Sequence, residues 1–146
     1  MAHLRQSIRE RIATDVTGLS TTGSNVFQSR VYPIEDGSLP CLLVYTTSED
    51  AEVTEMASPR PITRILNVVV QGVVGATTPE DTLDTISKEV EVALAGDVSI
   101  NSLAHNSFLS GTEIEFNADG AKPIGNVMLN YVVEYRNVDN NPESAI

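Results

Sequence analysis

Apolar residues first recur in this chain at every fourth position: Leu4, Ile8, Ile12 and Val16. That spacing predicts one stripe of a helix, with Arg5, Arg9 and Arg11 lying off the stripe. Gly18 ends the helix, and Ser20 to Asn25 is a loop by composition. Val26 to Tyr32 then reads as a first strand, closed by Pro33 and the turn chemistry of Glu35-Asp36-Gly37-Ser38. Pro40 precedes a second strand, Cys41 to Thr47. From Ser48 to Pro61 the periodicity stops: S-E-D-A-E-V-T-E-M-A-S-P-R-P is acidic and holds two prolines. We read it as a long loop that becomes ordered against a partner, since long structureless loops tend to be functional. A solvated hairpin tip is the plainer alternative.

The third strand is expected over Ile62 to Val74. Leu66, Val68, Val70 and Val74 share one face; Asn67 and Gln71 sit on the other, between Ile65, Val69 and Val73. Apolar character on both faces predicts a central strand, or one whose second face meets a neighbouring copy. A second helix follows with marked ends. Thr78 is a good N-cap, Pro79 suits the first helical position, and Glu80 and Asp81 favour the positive end of the helix. Leu83, Ile86, Val90, Ala93 and Leu94 form its buried stripe, and Gly96 is the expected residue after its end.

Asp97 to Ser110 reads as irregular, with Leu103, Phe108 and Leu109 under the core. Thr112 to Asn117 alternates as a strand with one wet face, and Ala118 to Pro123 is a hairpin turn. The last strand, Asn126 to Asn137, alternates Val127, Leu129, Tyr131, Val133 and Tyr135 against Asn126, Met128, Asn130, Val132, Glu134 and Arg136. Val138 onward reads as a frayed, flexible tail. The expectation is one α+β domain over 1–137 with a tail over 138–146. Its order is α-β-β-β-α-β-β: about five strands in a mostly antiparallel or mixed sheet, with two helices packed on one face.

Composition changes this picture in one respect, the core. The chain has 146 residues, no Trp and three Phe, so the interior must be built from Val, Ile and Leu. Twenty acidic against nine basic residues leave a net charge of −11. That argues against a general nucleic-acid binder or an anionic membrane surface. The basic residues Arg5, Arg9, Arg11 and Arg30 lie early, and the rest of the chain is acidic. This asymmetry suits head-to-tail contact between copies. Cys41 is the only cysteine, so no intrachain disulfide forms; within L-P-C-L-L-V-Y it reads as a buried structural thiol. No signal peptide is expected from Met1-Ala2-His3-Leu4-Arg5-Gln6, and no run approaches the roughly 18 apolar residues of a membrane span.

Reaction chemistry finds little footing. His3 and His105 are the only histidines and neither stands at metal-ligand spacing. Glu113 and Glu115 share a strand face, but aromatics to line a sugar cleft are scarce. Gly72-Val73-Val74-Gly75 lacks the lysine and spacing of a phosphate loop, and Glu80 and Asp81 would repel phosphate. No nucleophile elbow occurs. We therefore expect no enzyme, no cofactor and no metal. The residues assigned to subunit or partner contact are Arg5, Arg9 and Arg11, the loop residues Glu49, Asp50, Glu52, Glu55 and Arg60, and the second-face amides Asn67 and Gln71. Arg–carboxylate pairs suit such contacts.

An N-terminal helix, a long acidic segment, V-V-V-Q-G, the helix T-P-E-D-T-L-D-T-I-S-K-E-V-E-V-A-L and a final hairpin ending N-Y-V-V-E-Y-R together form a pattern over roughly residues 3–137. That pattern resembles the tail-terminator (minor tail protein U-like) family of long-tailed bacteriophages. The resemblance implies a small α+β structural protein that forms a homohexameric ring. The ring would cap the tail tube, end its polymerisation and offer a surface for head attachment. Its partners would be further copies, the tail-tube protein and a head-completion or connector protein. DNA would pass the lumen only as cargo, and an acidic wall would not retain it. The place of action would be the head-proximal end of the virion tail, after assembly in the host cytoplasm, with no membrane involved. Two alternatives stay open: a head–tail connector or tail-completion (neck) protein, and a small acidic binding or inhibitory module.

Overall fold

The computed structural model describes residues 2–28, 40–56, 58–75, 79–117 and 124–146. The expected element order is observed: α1 (Leu4–Asp15), β1 (Val26–Phe27), β2 (Cys41–Val53), β3 (Pro61–Gly75), α2 (Pro79–Ala95), β4 (Asn106–Asn117) and β5 (Ile124–Val138). The strands form one mixed sheet in the order β1-β2-β3-β5-β4. β1 runs parallel to β2, and the remaining pairs are antiparallel. Of the two expectations for β3, the central strand is observed: it pairs with β2 on one side and with β5 along its whole length on the other.

Both helices cover the same face. Leu4, Ile8, Ile12 and Val16 of the α1 stripe, and Leu83, Ile86, Val90 and Leu94 of α2, are buried with Leu42, Val44, Leu66, Val68, Val70, Val127, Leu129, Val133 and Tyr135. These strand positions are spaced by two, so the pleat delivers them to one side. On the opposite side Cys41, Leu43, Tyr45, Val69 and Val73 form a smaller apolar cluster. Cys41 is buried, as expected, and burial pushes its thiol pKa up. Gly72 explains how closely α2 approaches. A Cβ there would stand 3.0 Å from both Ile86 Cγ2 and Val127 Cγ1. The glycine serves packing between helix and sheet rather than a phosphate cradle.

Several boundaries differ from the sequence reading. β2 does not stop at Thr47. After one irregularity between Thr46 and Ser48 it pairs with β3 as far as Val53↔Ile62. Half of the expected loop over 48–61 is therefore strand, Ser48 to Val53 in β2 and Pro61 in β3. Asp50 to Val53 are exposed on both faces and show no alternation; the partner strand supplies the order that periodicity lacks. β4 starts at Asn106 rather than Thr112, with a register shift between Leu109 and Gly111. An inserted residue inverts the alternation and hides the first half of the strand. It also places Phe108, expected under the core, opposite Val132 and half exposed.

Ahead of β4, Ile100, Asn101 and Ser102 all take positive φ (49°, 53° and 66°). Such a run is uncommon outside glycine. Here the buried Ile100 side chain and the Asp97 Oδ1 acceptor, 3.0 Å from the Asn101 N–H, hold it. α2 ends where expected, but Gly96 does not take a left-handed φ; the Asp97 N–H closes the end on the Leu94 carbonyl at 3.1 Å. The proposed Thr78 cap, most of the first strand read over 26–32 and the 118–123 turn lie outside the described residues. The segment read as a tail makes definite contacts: Pro142 O accepts from Leu4 N at 2.8 Å, and Ile146 N donates to Arg136 O at 3.1 Å.

Candidate functional site

α1 begins on an unexpected cap. His3 Nδ1 accepts the Arg5 backbone N–H at 3.0 Å, so the ring must be neutral on that nitrogen. Burial, then the charges of Arg5 and Arg64, hold the His3 pKa below its ordinary value. The cap turns Arg5 toward the sheet, where its Nη1 lies 2.6 Å from Glu49 Oε2. Glu49 also accepts from Arg64 Nη1 at 3.2 Å and from the Tyr135 hydroxyl. Arg64 is fixed in turn by its Nε donating to Asn137 Oδ1 at 2.7 Å. The carboxylate side chain is only 10% exposed. Burial foremost, and then the Glu49 carboxylate, raise the Tyr135 pKa. One carboxylate thus ties α1, β2, β3 and β5 together. Glu49, read as part of a loop ordered against a partner, lies in strand β2, and Arg5 and Glu49, both assigned to contacts between chains, meet inside one chain.

A second node holds the far end of α1. Arg11 Nε lies 3.2 Å from Asp15 Oδ1 and 3.0 Å from Asp97 Oδ2. Burial, followed by the hydrogen bond and charge of Asp97, pushes the Asp15 pKa up to about 6. Asp97 moves the other way, chiefly through the Asp15 hydrogen bond and the Asn101 N–H. Two close carboxyls cannot both ionise freely, so one keeps its proton longer. Arg9 is the loosest of the three arginines, with Nε donating to Gln28 Oε1 at 3.2 Å.

Asn67 and Gln71 lie on the sheet face away from the helices, as the alternation required. Asn67 Nδ2 donates to Ser48 Oγ at 2.9 Å. Gln71 accepts from the Tyr45 hydroxyl at 2.9 Å and donates to Asn126 Oδ1 at 3.0 Å, making a polar row across β2, β3 and β5. The histidines stand apart: His3 caps α1, while His105 Nε2 lies 2.7 Å from Ile146 O. Glu113 and Glu115 are exposed on β4. Among the described residues no group of three His, Cys, Asp or Glu side chains could hold a metal ion. No helix among them is long and apolar enough to cross a membrane.

The features with most unsatisfied surface lie elsewhere, and the sequence reading missed half of them. β4 is an edge strand whose residues 112–116 are all exposed. Ile114 and Phe116, on the helix-facing side, are 51% and 50% exposed. They line a depression of about 250 Å³ with Glu80, Leu83 and Asp84 of α2. At the other end of the sheet the hairpin tip carries Asp50, Glu52, Glu55 and Arg60 in water, beside Val53 and a Met56 that is 80% exposed. A count of exposed apolar residues in strand pairs could have found Ile114 and Phe116; their shared recess needed the packing of α2.

No protein-family model matches this chain, and no curated protein matches it. Among solved structures, it is similar to a chain of the structure titled "Virion of native gene transfer agent (GTA) particle". The TM-score is 0.42 and the sequence identity 11%, over 90% of this chain and 95% of that one. The neighbour is a virion component by its title.

Proposed function

We propose that this chain is a structural assembly protein, a protomer of the ring that ends a phage tail tube and receives the head. The observation that carries the reading is the edge strand β4, with Ile114 and Phe116 half exposed beside an acidic helix start. Folded monomers usually defend a long edge with charge, bulges or cover, and large apolar side chains grouped there mark a contact surface. Glu113 and Glu115 and the irregularity at Ser110 guard against indiscriminate pairing, while the apolar pair stays available for a specific one. The sequence resemblance to tail terminators supplies the particular role. On this reading the chain works by contact, which is in keeping with His3 and His105 making structural hydrogen bonds and Cys41 being buried.

The test is to combine purified protein with tail-tube protein and follow the mixture by sedimentation and negative-stain imaging. Ring-sized particles, and tubes capped at one end, are the expected result. A protein that stays monomeric at high concentration and ignores tube ends sinks the proposal. Rings that bind connector protein but not tubes would reassign the chain to the neck.

A further inference from the structure

Among the apolar side chains left in water, Met56 and the pair Ile114–Phe116 stand at opposite ends of the sheet. Phe116 pairs opposite Gly125, and Gly125 opposite Val74, near the end of β3. Met56 lies just before Pro61, at its start. The 15 residues of β3 between them span about 45 Å at the rise of an extended strand. No copy can bring its own hairpin tip to its own Ile114–Phe116 recess.

The two ends match in chemistry. The recess is apolar at its base and acidic at its rim, where Glu80 and Asp84 are exposed with no basic residue in the lining. The tip offers Met56, an unbranched side chain that adapts to irregular apolar gaps. Four residues on stands Arg60, exposed and without an ion pair among the described residues. We propose that the hairpin tip of one copy seats Met56 in the Ile114–Phe116 recess of the next, with Arg60 over Glu80 and Asp84. Glu52 and Glu55 stay in water beside the seat. The contact joins two different surfaces, so repetition must either close into a ring or continue as a filament. The inference rests on the assembly reading above and names the surfaces that perform it.

Cysteine pairing tests it. Cys41 is fully buried, so Glu55→Cys beside Met56 and Thr112→Cys on the same strand face as Ile114, both exposed and outside the recess lining, supply the accessible thiols and leave the anchoring side chains in place. Mild oxidation of the double variant should give a ladder of covalent oligomers on a non-reducing gel. A mixture of the two single variants should stop at dimers, and each single variant alone should stay monomeric. Arg60→Glu should weaken self-association by about tenfold, and adding Asp84→Arg should recover part of it. If the wild-type protein assembles by sedimentation while the double variant yields only monomers, this contact is wrong and the assembly reading stands. If the wild-type protein is monomeric with and without tail-tube protein, the assembly reading itself fails.

Discussion

The phenol of Tyr135 donates to the carboxylate of Glu49, 86 residues earlier in the chain. Tyr135 is fully buried on β5 and Glu49 nearly so on β2. With Arg5 and Arg64 also on this carboxylate, its removal would leave the buried Tyr135 hydroxyl and Arg64 Nη1 without this acceptor, while Arg5, 41% exposed, can turn to water. Glu49→Ala is expected to cost about 2–3 kcal/mol by denaturant unfolding, since orphaned buried donors cost more than a lost surface pair. Glu49→Gln should cost less, because it keeps an acceptor for the phenol. Arg5→Ala, removing the more exposed arm, should cost under about 1 kcal/mol.

Gly72 sets the distance between α2 and the sheet. With two methyl carbons 3.0 Å from the position of an added Cβ, Gly72→Ala should destabilise the fold by about 1–3 kcal/mol through overpacking. The check is the shift in unfolding midpoint at unchanged denaturant slope. An unchanged or raised midpoint would show that Ile86 and Val127 move aside freely.

The Arg11–Asp15–Asp97 node makes stability depend on pH. Asp15 has a folded pKa of about 6 against an ordinary 3.8. The folded state therefore binds more protons than the unfolded state between these values, and stability falls as pH rises through that window. His3 acts in the opposite sense. Its lowered pKa means that the folded state resists protonation, so stability falls as pH drops below about 6.5, the ordinary histidine value. Asp97, held low, contributes stability that is lost only in stronger acid, below the usual carboxylate range. Asp15→Asn should raise stability at pH 7 relative to wild type, and the difference between the two profiles should shrink toward pH 4. A constant difference across pH 4–7 would mean that Asp15 titrates normally.

Ile114 and Phe116 are half exposed in the isolated chain. Replacing each with Thr should change monomer stability by no more than about 0.5 kcal/mol per site, the usual range for surface positions. Self-association should drop in the same variants. A large loss of stability without a change in association would assign these residues to the core instead.

Cys41 is fully buried and its thiol pKa is raised by burial. A water-soluble disulfide reagent should leave it unmodified in the native protein and label it fully in denaturant. Rapid native labelling would show that the second sheet face opens readily.

Legibility followed periodicity. The stripes of α1 and α2 and the alternation of Leu66 to Val74 and Val127 to Tyr135 specified which residues would be buried and on which side. Ser48 to Val53 and Asn106 to Ser110 did not yield to the same reading. The first is polar on both faces and is a strand only because β3 offers it backbone partners; the second has its alternation broken by an inserted residue. The charged residues were the least legible. Arg5, Arg11 and Glu49 looked available to another chain, yet the fold brings each to a partner far away in sequence: Arg5 to Glu49 and Arg11 to Asp97.

By itself, then, the sequence determined the order of the elements and the core faces of the helices and of the regular strands, and it narrowed β3 to a central strand or one facing a neighbouring copy. Those follow from local propensity and from the periods of helix and strand, which each segment carries within itself. Tertiary structure alone decided which charges are consumed internally and which remain for a partner. It turned an apparent acidic loop into a projecting hairpin, and it built one recess from a strand edge and a helix start that lie some thirty residues apart. Such juxtapositions depend on register and sheet order, and these are set by the packing of the whole chain rather than by any window of it.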